Sequence, residues 1–279
     1  MYQIEFSHPS SHYFVGIGGI RMSELAQILA DAGFRVSGSD RTKSELTGHL
    51  EVQGITVFYG HRENNITDDI DCVIFTSAIH PDNPEYIAAH EKHIPCLTRA
   101  QLLGQIMRNY KTPIAISGTH GKTTTTSMAS EILMAADMDP TLSICGILKS
   151  IGSCVRVGGP DIFLTEACEY TNSFLSFFPK IGIILNIEED HLDFFKDLAD
   201  IRSSFHQFAL LLPKDGYLIL NGQIPHLEEI TKGVDCQILT FGLEAFCDYH
   251  PSSISFDEMG HPRFMLNSPQ ASLREFSLQ

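Results

Sequence analysis

Short apolar runs alternate with helix-period stretches from the start of this chain almost to its end, and the alternation falls into two sets. In the first, His12-Tyr-Phe-Val15 reads as a strand that runs into a turn at Gly16-Ile-Gly-Gly19. A helix follows from Met22 to Ala32, with Leu25, Ile28 and Leu29 on one face. Further strands are predicted at Phe34–Asp40, Ile55–Phe58, Asp71–Thr76 and Ile94–Leu97, with helices over 43–51, 84–92 and 98–108. Such alternation predicts an α/β fold, a Rossmann-like doubly wound parallel sheet with ligands at the C-terminal ends of its strands. The second set opens at Pro113. Ile114-Ala-Ile116 reads as a buried strand, followed by a helix from Lys122 to about Ala136. Strands are predicted at Thr141–Ile144, Asp161–Thr165, Ile181–Asn186, Tyr217–Leu220 and Gln237–Phe241. A helix over Asp197–Leu212 is expected to pack through Ile201, Phe205, Phe208 and Leu211, and a hairpin over 253–266 to turn near Met259-Gly260. The polar stretch Arg108–Thr112 reads as the linker, dividing the chain into domains 1–108 and 109–279. The second is expected to be a P-loop ATPase-like α/β domain.

Chemistry concentrates where these strands end. Ser117-Gly-Thr-His-Gly-Lys-Thr-Thr124 lies between an apolar strand and a long helix. That arrangement aims free backbone N–H groups and a helix dipole at a phosphate. Lys122 adds a charge for the outer phosphates, and the Thr123 hydroxyl is placed to hold magnesium. Ile116 stands where GxxxxGK(S/T) has its first glycine, and a turn that merely caps a helix with threonines is the plainer alternative. Glu166 follows the strand Asp161–Thr165, and Ile187–Asp193 follows the next, with His191 a candidate metal ligand. In the first set Gly16 and Gly18 fit GxGxxG but Arg21 occupies its third glycine position. Asp40, about twenty residues beyond the glycines, stands where a ribose-binding acid would. Thr76 and Ser77 could meet a sugar or phosphate, whereas His80 and Asp82 read as local structure.

Composition narrows the partners. The net charge of −15 argues against nucleic acid, so a polyphosphate must be held by local features. Cys72, Cys96, Cys145, Cys154, Cys168, Cys236 and Cys247 include no CxxC pair and read as a reduced set. No apolar run reaches membrane-spanning length and no signal peptide is evident, so a cytoplasmic protein without membrane insertion is expected.

Gly118-Thr-His-Gly-Lys-Thr-Thr-Thr125, Glu166-Ala-Cys-Glu-Tyr170 and Asn186-Ile-Glu-Glu-Asp-His-Leu-Asp193, in that order, resemble the Mur ligases of peptidoglycan synthesis. The His of GTHGKT resembles the branch that joins L-alanine to UDP-N-acetylmuramate, and its murein-recycling relative. The resemblance runs from about His12 to Leu266 and implies the following roles. Gly118, Thr119, His120, Gly121, Lys122, Thr123 and Thr124 would cradle ATP; Thr123, Glu166 and His191 would hold Mg2+. Lys122, Glu166 and His191 would serve catalysis, and Gly16, Gly18, Gly19, Asp40 and Ser77 would bind the UDP-sugar. The implied reaction converts the lactyl carboxylate to an acyl phosphate at the expense of ATP, and the alanine amine then displaces phosphate. Cys145 and Cys154 depart from the family's usual glycine and asparagine. The family also carries a further domain that supplies the amino-acid site, while residues 267–279 match nothing in it. The chain is therefore expected to be a truncated, inactive ligase. A non-catalytic UDP-sugar or ATP-binding relative remains an alternative, and so does the tripeptide-recycling ligase. An NAD-dependent dehydrogenase would leave the Gly-Lys-Thr loop without purpose.

Overall fold

The computed structural model of the chain describes residues 2–76, 78–269 and 271–277. Strands β1 (Ser11–Val15), β2 (Arg35–Asp40), β3 (Thr56–Tyr59), β4 (Cys72–Phe75) and β5 (Cys96–Thr98) alternate with helices α1 (Ile20–Asp31), α2 (Glu45–Val52), α3 (Pro84–Glu91) and α4 (Arg99–Met107). The strands form a parallel sheet in the order β3-β2-β1-β4-β5. All of β1 and β4 is buried, as expected of strands covered on both faces. The order reverses at β1, so the segments leaving β1, β2 and β4 converge where doubly wound sheets take their ligands. Helix boundaries follow capping chemistry: Ser44 and Thr98 each close a capping box, and Asn83 accepts from the Glu85 and Tyr86 amides ahead of Pro84.

Next come β6 (Thr112–Ser117), α5 (Lys122–Ala135), β7 (Thr141–Leu148), β8 (Ser153–Arg156), β9 (Ile162–Ala167), β10 (Ile181–Ile184), α6 (Leu198–Ala209), β11 (Tyr217–Asn221), α7 (Leu227–Thr231) and β12 (Gln237–Phe241). The chain ends in β13 (His250–Phe256), β14 (Pro262–Ser268) and β15 (Ala271–Ser277). Two compact units result. The first comprises Met1–Lys111, Ser130–Phe163 and Ser176–Phe178, and the second Thr112–Ala129, Leu164–Leu175 and Pro179–Gln279. In the first, β7 and β8 pair antiparallel. In the second, the strand order is β12-β11-β10-β6-β9, with β6, β10, β11 and β12 parallel, and β13-β14-β15 form an antiparallel sheet.

Phe174 stacks on Phe208 at 4.9 Å and meets Phe205 edge-on at 5.5 Å, which seats α6 on the second unit's core. Ile201, Phe205 and Phe208 are buried as their spacing predicts. Leu211 lies beyond the end of α6 and is only half-buried; Leu212 takes the core position instead. Two strands and one α-helix have no counterpart in the sequence pattern: β8 and α7 are short, and β15 lies within 267–279. None of the seven cysteines forms a disulfide, and among the described residues no helix is long and apolar enough to cross a membrane.

His12 has no exposed surface, packs against the rings of Phe34 and Tyr2, and has no hydrogen bond to either ring nitrogen. Burial lowers its pKa from 6.5 to about 4. The unfolded chain therefore binds the extra proton first. Stability is full above pH 6.5 and is lost as pH falls toward 4, by about 2 kcal/mol at pH 5 from this residue. Urea unfolding at pH 7 and pH 5 is expected to show that loss, and a His12→Leu variant to show a smaller one.

Candidate functional site

In the second unit the strand register sets two loops side by side. Ser117, the last residue of β6, pairs with Ile184, the last of β10. The following residues then lock together: Leu185 N–H donates to Ser117 O at 3.0 Å, and Thr119 N–H to Asn186 O at 3.2 Å. Gly118 adopts φ 141° there, and a Cβ on it would lie 2.9 Å from the Leu185 Cβ, so only glycine fits. The Asn186 side chain clamps the next peptide, accepting from His120 N–H at 2.7 Å and donating to His120 O at 3.0 Å. Thr119, almost fully buried, accepts from Glu188 N–H at 2.9 Å. Gly121 turns the chain at φ 81° into α5, leaving Thr123 and Thr124 exposed on its first turn.

Lys122 folds back over this loop. Its ammonium lies 2.5 Å from Gly118 O, 3.1 Å from Thr119 O, and 3.1 and 2.9 Å from the two oxygens of Glu169. The Glu169 side chain is 2% exposed, so this is a buried charge pair. Oε1 of the same carboxylate also lies 3.8 Å from His191 Nε2. Glu169, Asp190 and His191 each offer a ligand atom, all within 4.8 Å of one another. His191 holds φ 52°, the left-handed region, and its ring lies 4.5 Å from that of Tyr170. Tyr170 in turn donates to Asp193 Oδ2 at 2.8 Å, and that bond raises the phenol's pKa. A strained non-glycine backbone held by such contacts is a mark of functional sites.

The expected residues therefore meet in part. Lys122 and His191 meet on one carboxylate, and it belongs to Glu169. Glu166 lies inside β9, not at its tip, and accepts from the Thr123 hydroxyl at 2.9 Å. It is outside the three-residue cluster. Sequence reasoning passed over Glu169, Asp190 and Asn186, although all three stand in the motifs it singled out. No local signal marks Glu169: β9 runs on to Ala167, and only that extension makes Glu169 the acid that follows the strand.

In the first unit, Gly16 takes φ 83°, and a Cβ there would lie 2.6 Å from Thr76 Cγ2. The turn's amides are satisfied internally: Gly16 and Ile17 donate to Ser39 O, Gly18 to Asp40 Oδ2 at 2.8 Å, and Gly19 to Gly16 O at 3.3 Å. Asp40 thus braces the turn, and the segment continues into the first turn of α1 behind Gly19. Ser77 lies outside the described residues. Arg21 lies on α1 near the buried Glu24, whose carboxyl burial pushes above the usual range.

A doubly wound parallel sheet in one unit and a strand–glycine loop–helix cradle in the other define an α/β protein of the phosphate-loop class. The chain belongs to the Mur ligase family: its residues 11–111 match the "Mur ligase family, catalytic domain" profile and 116–274 the "Mur ligase middle domain" profile. It is 57% identical over 267 residues to the UDP-N-acetylmuramate–L-alanine ligase of Lachnospira eligens, covering 95% of this chain and 58% of the relative. For the same-named protein of Clostridium novyi the identity is 51% over 252 residues, covering 90% and 54%. The chain thus spans little more than half the length of the curated relatives it matches. Among solved structures, the UDP-N-acetylmuramate:L-alanyl-γ-D-glutamyl-meso-diaminopimelate ligase of Neisseria meningitides superposes with a TM-score of 0.82 at 25% identity, covering 98% of this chain and 89% of that one. The UDP-N-acetylmuramate–alanine ligase of Thermotoga maritima gives 0.75 at 30% identity, covering 97% and 60%. The middle-domain match reaches residue 274, which corrects the expectation that nothing beyond 266 belongs to the family.

The Asn186 clamp is testable apart from any ligand. Asn186→Ala leaves both backbone groups of His120 without their side-chain partner, and a loss of about 1–2 kcal/mol is expected. Chemical denaturation checks the magnitude, and hydrogen exchange at the His120 amide, expected to quicken, checks the cause.

Proposed function

We propose that this chain forms the sugar-nucleotide and ATP-binding portion of a ligase that joins L-alanine to the lactyl carboxylate of UDP-N-acetylmuramate in peptidoglycan synthesis. The observation that carries this reading is the meeting of Lys122 and His191 on the Glu169 carboxylate, beside a glycine loop that opens a helix. It is supported by identity to relatives named for that reaction.

The ligation brings two anions, a triphosphate and a carboxylate, into contact. Glu166, Glu169 and Asp190 would repel both. The Glu169 and Asp190 carboxylate oxygens and the His191 imidazole, gathered within 4.8 Å of one another, are a donor set that fits a hard divalent cation such as Mg2+. When bound, that cation supplies positive charge against the phosphate oxygens. Glu169, Asp190 and His191 would hold it. The Thr123 hydroxyl, which donates to Glu166, would be a further ligand to such a cation. Lys122 is poised at the mouth of the loop and needs only to exchange Glu169 for phosphate oxygens to stabilise charge on the transferring group. The exposed Thr124 hydroxyl and the α5 amides would receive the remaining phosphate oxygens. In the first unit, Gly16, Gly18, Gly19, Asp40 and Ser77 would bound the diphosphate and sugar. Cysteines that form no disulfide suit a reducing, cytoplasmic setting.

A second reading keeps the sugar nucleotide and ATP but takes a preformed tripeptide as the amine. The fold it shares with the Neisseria ligase favours it.

Lys122→Ala removes one charge-assisted contact, and Mg-ATP affinity is expected to fall by about 1.5–3 kcal/mol. Isothermal titration of both proteins decides this, and equal affinities would remove the phosphate-loop assignment.

A further inference from the structure

Glu85 lies on the first turn of α3 with no exposed surface, and its carboxylate is surrounded by donors. Oε1 accepts from Tyr13 OH at 2.9 Å, from Asn65 Nδ2 at 2.6 Å and from Arg62 N–H at 3.4 Å. Oε2 accepts from the Ser39 hydroxyl at 2.6 Å and from His61 Nδ1 at 2.8 Å. Among the described residues its ion-pair partner is His61, and no lysine or arginine side chain pairs with it. These donors come from β1, β2 and the segment that follows β3. The bonds continue to the loops at the ligand edge of the sheet. Ser39 O holds the Gly16 and Ile17 amides, and Asp40 Oδ2 holds Gly18. Asp40 O receives Gly60 N–H at 2.8 Å, while Asn65 Nδ2 also reaches Gly60 O at 3.1 Å.

Burying a carboxylate without a strong cation is costly, and its five donors must together offset the water it loses. What the five directed bonds supply is a single arrangement of three strand ends. We propose that Glu85 is the positioning residue of the sugar-nucleotide site: through Ser39 and Asp40 it fixes the Gly16–Gly18 turn that bounds the diphosphate. This deepens, and rests on, the reading of the first unit given above.

The test uses the whole 279-residue chain. Glu85→Gln keeps shape but turns one oxygen into an N–H donor facing donors. An Ile106→Ala variant, cut from a fully buried site on α4 with no bond to this network, serves as a control for lost stability alone. Three readouts are taken at a temperature where all variants are folded: UDP-N-acetylmuramate affinity, ATP affinity, and hydrogen exchange at the Gly16, Ile17 and Gly18 amides. Glu85→Gln is expected to bind the sugar nucleotide about tenfold or more weakly, with faster exchange at the three amides and unchanged ATP affinity. Ile106→Ala is expected to keep wild-type sugar-nucleotide affinity. Unchanged exchange and affinity in Glu85→Gln, or an equal loss in Ile106→Ala, would overturn the positioning role. Should Glu85→Gln not fold, Ser39→Ala removes one bond of the network and is read the same way, with a smaller loss expected. Wild-type protein that fails to bind UDP-N-acetylmuramate would overturn the substrate reading instead. The amide exchange still tests Glu85 in that case.

Discussion

A carboxylate that is almost wholly buried must be neutralised where it stands, and in the second unit that carboxylate is Glu169. An unpaired charge in such a place costs several kcal/mol, so removing its partner is far more damaging than the pair is stabilising. Lys122 supplies the partner, with both Glu169 oxygens and two loop carbonyls within 3.1 Å of its ammonium. An ammonium has three hydrogens to give, and four oxygens already compete for them. The loop is therefore held closed on itself by the same groups that a magnesium–phosphate ligand would engage. His191 and Asp190 gather at the same carboxylate, with one ligand atom from each of the three residues within 4.8 Å of the others.

Each unit solves the same problem: a glycine turn can approach a ligand closely but has little rigidity of its own. In the second, Asn186 and Thr119 pin the loop to the segment after β10. In the first, Ser39 and Asp40 pin the turn, and Glu85 pins Ser39. A buried acid lies at the root of both arrangements, Glu169 against a lysine and Glu85 against neutral donors and a histidine. The difference follows from what is to be held. Under the proposed function, a loop for the outer phosphates of a nucleotide would need its own cation, whereas a turn that only bounds a diphosphate would need a fixed backbone.

Most of the fold was legible because parallel strands covered on both faces carry short apolar runs, such as Tyr13-Phe-Val15, Cys72-Val-Ile-Phe75 and Ile162-Phe-Leu164. What escaped was short or lacked a period. Ser153–Arg156 and Leu227–Thr231 offer too few residues to define one, and Ala271–Ser277 shows no clean alternation, its strand state being fixed by pairing with β14. The loop at Gly118–Thr124 was legible from local chemistry. Its partners were not: whether Glu166 or Glu169 reaches Lys122 depends on where β9 ends, and strand ends are set by pairing with neighbours. Likewise Asn186 reads as one more polar residue until the register of β6 on β10 brings it to His120. Glu85 gave no signal beyond a helix start, since its five donors are scattered between Tyr13 and Asn65.

Under the proposed function, Glu169, Asp190 and His191 would hold the cation that accompanies a nucleotide on the Lys122 loop. Pulsed electron paramagnetic resonance of Mn2+ added in place of Mg2+, with ATP, reads this directly. The expected spectrum shows phosphorus coupling from the nucleotide together with nitrogen coupling from one imidazole, and the nitrogen coupling disappears in His191→Gln. Phosphorus coupling with no imidazole nitrogen in the wild type, or a nitrogen signal that survives His191→Gln, would contradict it.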